Sequence, residues 1–111
     1  MVTNKSILGG VRGYLGYLED ETSFDTELIP LINMALNILK DIGVGKRDVF
    51  VVNDITTYDD FLGDYSTNPE FVSAMTFVNL KVKTIFDPTT SATVMKALTD
   101  TCDEILWRLC Q

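Results

Sequence analysis

Apolar positions return every three or four residues through most of this chain, and the pattern breaks in only one place. In "NKSILGGVRGYLGYL" the residues Ile7, Val11, Leu15 and Leu18 fall at helical spacing. Gly9, Gly10, Gly13 and Gly16 interrupt that helix, each at a cost of up to ~1 kcal/mol relative to Ala in a helix interior. It therefore depends on packing. Gly9, Gly13 and Gly16 share one side, where a missing Cβ would admit a second backbone; glycines simply tolerated in a marginal helix account for them equally well.

"LEDETSFDTELIPLINMALNILKDIGVG" carries the clearest start and stop signals. Asp25 is placed to cap a helix, with Phe24 and Ile29 at the positions of a hydrophobic staple. Leu28, Ile32, Ala35, Leu39 and Ile42 form the buried stripe, and Gly43 and Gly45 end it. Pro30 removes one early hydrogen bond, which predicts a bend or a delayed start.

The break comes at "RDVFVVNDI". Val49, Phe50, Val51 and Val52 are consecutive, β-branched or aromatic, and flanked by polar turn formers, which predicts a short extended segment near 48–55. No second strand is evident to pair with it. It is either a loop crossing the core or an element that reaches a neighbouring subunit.

Helical spacing then resumes. Thr56 and Asp59 make a Thr-x-x-Asp opening for a two-turn helix ending at Gly63. Asn68 and Pro69 open a longer helix as N-cap and first residue. Phe71, Met75, Val78, Val82 and Ile85 line one face of it, with Phe77 and Leu80 well off that face. A helix apolar on more than one side is central in a bundle or shared with a partner. Pro88 disfavours helical geometry at Asp87, so this helix stops there; Pro88 fits the first turn of the next one, capped by Asp87, Thr90 or Ser91. The result is an αα-hairpin corner. The last helix should bury Val94, Leu98, Cys102, Ile105 and Leu109. Trp107 points the opposite way, beside Lys96, Asp100 and Asp103, either as an interface anchor or under a second layer of the same domain.

These elements make one all-α domain over residues 1–111, a bundle of four to five helices with one short extended segment. The length of 111 residues suits a single domain that buries roughly 60–70% of its unfolded surface. Sixteen acidic against nine basic residues leave a formal charge of -7, which disfavours a dedicated nucleic-acid binder. Lys46-Arg47 and Lys81/Lys83 are the candidate basic patches, read here as solvated charges. "VTNKSILGG" shows no leader-like apolar run, and no segment approaches the ~18–20 apolar residues of a membrane span, so a soluble protein made in a cytoplasm is expected. Cys102 and Cys110, eight positions apart on one helix, would be separated by about 12 Å, too far for a disulfide. Buried or half-buried thiols are expected there.

Candidate chemistry is sparse. The chain has no His, which rules out a His-dependent triad or zinc site. "GVGKRD" would need Gly at 40 and Ser or Thr at 47 to be a phosphate loop; Lys40 and Arg47 stand there. The acids at 19–21 and at Asp59-Asp60 match no calcium loop, and helix capping and solubility account for them. Neither an enzyme, a cofactor nor a metal is expected.

Four blocks in order, "SFDTELIPLINMALNILKDIGVG", "TTYDDFLGD", "LKVKTIFDPTT" and "ILWRL", resemble the small head–tail connector proteins of long-tailed bacteriophages, also labelled adaptor, head-completion or DNA-packaging proteins. The likeness spans roughly residues 23 to 110, and the Phe-Asp-Pro corner followed by a helix ending in Trp-Arg-Leu is its most specific part. Thr89 stands where family members often carry a second Pro, and the glycine-rich N-terminal segment is less typical.

The resemblance implies a subunit of a ring, matched to the dodecameric portal, at the head–tail interface of the virion. That ring would be assembled in the host bacterial cytoplasm and would touch the portal protein and the downstream connector or tail proteins. Genomic DNA would slide through the channel without specific binding, and no membrane is involved. Val49, Phe50, Val51 and Val52 are then candidates for reaching a neighbour, and Phe77, Leu80 and Trp107 for packing between subunits or on the portal. Two rivals are open: a small acidic binding module, such as an inhibitor or DNA mimic acting on a basic host protein, and an enzyme using Asp59 or Asp60.

Overall fold

The computed structural model describes residues 6–17, 21–51, 53, 55–63 and 71–110. Among them are five helices: α1 (Ile7–Tyr14), α2 (Asp25–Asp41), α3 (Tyr58–Leu62), α4 (Phe71–Phe86) and α5 (Ala92–Leu109). No strand occurs among the described residues.

α1 begins where the Ser6 hydroxyl accepts from the Gly9 N–H at 2.8 Å, satisfying one of the free donors of its first turn. Ile7, Leu8 and Val11 are fully buried. A Cβ added at Gly13 or Gly16 would meet no atom within 4 Å, so the expected close backbone approach is not used there inside the chain. Gly16 serves the turn instead, with φ at +92°. Leu18 lies outside the described residues.

α2 starts one position earlier than a cap at Asp25 requires. Phe24 is the cap residue and Asp25 the first helical residue, whose carboxylate faces Arg12 of α1 rather than its own backbone. Phe24 is drawn into an aromatic cluster with Tyr17 and Phe86, at centroid distances of 5.2 and 5.6 Å, in place of a staple. The helix passes through Pro30 without interruption and without a delayed start. Leu28, Ile32, Ala35, Leu36 and Leu39 form its buried stripe, and Ile42 is half-buried at the end. Gly43 and Gly45, at φ +89° and +84°, reverse the chain as expected.

The capping box of α3 lies one residue beyond the expected pair: Thr57 accepts from the Asp60 N–H, and the Asp60 carboxylate accepts from the Thr57 N–H. Gly63 ends the helix, as its sequence suggested. The Asn68-Pro69 opening lies outside the described residues.

α4 is central and packs against the other four helices. This is why its buried set, Ala74, Phe77, Val78, Leu80 and Val82, is wider than one stripe and includes the two residues expected off the face. Ile85, expected on that face, is exposed. Ser91 caps α5 by accepting from the Val94 N–H, so Pro88 belongs to the connection and not to the first turn. α5 rests chiefly on α4. Cys102 is its one buried residue; Leu98, Ile105, Leu106 and Leu109 are half-buried and pack on the core. Val94, expected in the buried stripe, is exposed, and so is Cys110.

Candidate assembly surface

Residues 49–51 pass along α2 without pairing as a strand. Val51 is fully buried, and its backbone is held by the Asn33 side chain through bonds of 2.7 and 2.8 Å. The Thr56 hydroxyl donates to the Phe50 carbonyl at 3.2 Å, and the Thr56 carbonyl accepts from the Ile7 N–H at 2.9 Å. Asn53 turns the tip by accepting from the Ile55 N–H. A segment tied at its middle and its end presents what remains outside: Phe50 is 54% exposed and Ile55 is 77% exposed.

Phe50 is not a loose side chain. The Lys40 ammonium lies 4.1 Å from its ring centroid, in a cation–π contact. Lys40 is buried at the end of α2, while Lys46 and Arg47 beside it are exposed. Arg47 donates to the Lys40 carbonyl at 3.2 Å. Four other cations are paired: Arg12 with Asp25, Lys83 with Asp87, Lys96 with Asp100 and Arg108 with Glu104. Lys40, Lys46, Arg47 and Lys81 form no ion pair with a carboxylate among the described residues, and in sequence Asp41, Asp48 and Asp54 stand beside the first three.

The most exposed aromatic among the described residues is on α5. The stripe of α5 around Cys102 faces α4, so Trp107 points outward and is 65% exposed. Around it stand the two i,i+4 pairs Lys96–Asp100 and Glu104–Arg108, at 2.9 and 2.8 Å. Asp103, one turn before Trp107, is exposed.

Of the residues singled out from sequence, Phe50 and Trp107 reach the surface and Val49 is half-exposed. Val51, Phe77 and Leu80 are buried in the chain's own core, which takes up their apolar area. Val52 lies outside the described residues. Sequence reasoning missed Ile55 and Asn33. An amide in the middle of an otherwise apolar helix was the available signal for Asn33; for Ile55 it was an isolated aliphatic residue in a polar turn.

Little in the site is set up for acid–base chemistry. The Asp60 carboxylate is committed to the α3 cap. Burial pushes the Tyr58 phenol far above its ordinary range, leaving it neutral, and its ring meets Phe71 edge-on at 5.6 Å. Among the described residues no group of three or more His, Cys, Asp or Glu is placed to hold a metal ion, and no helix is long and apolar enough to cross a membrane.

A family model described as phage connector protein matches residues 7–111. Comparison with curated proteins and with solved structures gave no match.

Proposed function

The chain belongs to the phage connector protein family, and from that premise we propose that it is the subunit of a ring seated between portal and tail, extending the channel through which the genome passes. Membership makes it a structural connector component of a phage particle. The ring, its portal and tail contacts and its assembly in the host cytoplasm belong to the proposal.

The observation that carries it is that the two most exposed aromatic side chains among the described residues are Phe50, in the segment after α2, and Trp107, on α5. Large apolar side chains in rigid surroundings are the usual energetic centres of protein interfaces. Anchors on two different elements of the chain suit head-to-tail contacts that close on themselves. The charge of -7 suits a channel wall that does not grip DNA. Assembly of this kind requires no catalytic group.

The test is the mass in solution by light scattering, alone and with the portal ring of the same phage. A ring, or stoichiometric capture by the portal, supports the proposal. A monomer that ignores the portal overturns it and moves weight to an acidic module that binds a basic host protein.

A further inference from the structure

We draw no further inference here: the strongest candidate, the surface of α5 around the exposed Trp107, belongs to the assembly reading already proposed, and nothing in the structure shows what covers it.

Discussion

Asn33 holds Val51 by both sides of its amide: Nδ2 donates to the Val51 carbonyl at 2.7 Å, and Oδ1 accepts from the Val51 N–H at 2.8 Å. One side chain on α2 thereby supplies the two hydrogen bonds that a neighbouring strand would have given. Asn33→Ala leaves a buried N–H and carbonyl unpaired, and should cost about 1–3 kcal/mol in denaturant unfolding. Asn33→Asp keeps the acceptor and loses the donor, so it should fall between wild type and the alanine variant. Assembly should weaken in the same order, since the bond fixes the segment that presents Phe50. An alanine variant as stable as wild type would show that water replaces the amide without loss.

That contact also explains how far the sequence could be read. The helices of "LINMALNIL" and "FVNLKVKTIF" follow from spacing, because burial on a helix recurs with the turn. "VFVV" reads as an extended segment because its residues are β-branched or aromatic, but the backbone partner of Val51 is a side chain eighteen positions upstream, which no local pattern reveals. Phe77 and Leu80 were misassigned to a surface because one-face reasoning fails for a helix enclosed by four others. Trp107 was legible in the opposite way: its neighbours on α5 are charged, and it is exposed. Ile55 depended on how the turn at Asn53 aims it, which spacing does not encode.

Arg12 and Asp25 join α1 to α2 through two hydrogen bonds of 3.0 and 3.3 Å, with the arginine side chain only 3% exposed. Asp25→Ala should cost about 2–4 kcal/mol, because removing one partner leaves a charge that has already lost its water. Arg12→Met combined with Asp25→Leu should cost less than Asp25→Ala alone. A double-mutant cycle on thermal unfolding decides it, and a coupling near zero would place the stability of α1 in Ile7, Leu8 and Val11 alone.

Two glycines should respond with opposite sign. Gly45 has φ +84°, and a Cβ there would run into the Phe61 ring, which is fully buried and cannot swing aside. Gly45→Ala should cost about 2 kcal/mol or more from backbone strain and clash together. Gly10 lies inside α1 with open space where its Cβ would be. Gly10→Ala should therefore stabilise by about 0.5–1 kcal/mol. Melting temperatures of the two variants are the check. A destabilising Gly10→Ala would contradict the open space seen beside it.

The thiols should report on the docking of α5. Cys110 is exposed, while Cys102 faces α4 and is 4% exposed. Burial raises the Cys102 thiol above its ordinary range and the Asp103 charge adds to that, with Lys81 opposing. At a given pH less of it is thiolate, and thiolate is the reactive form. Alkylation near pH 8 should label Cys110 first and Cys102 at least about ten times more slowly, with the two rates converging in denaturant. Because α5 rests chiefly on α4, Cys102 becomes reachable whenever that helix lifts, without global unfolding. Assembly that covers the outer face of α5 should pin the helix and slow Cys102 labelling further. Unchanged Cys102 labelling in an assembled sample would mean that the contact leaves α5 as free to open as it is in the monomer, which is incompatible with docking around Trp107.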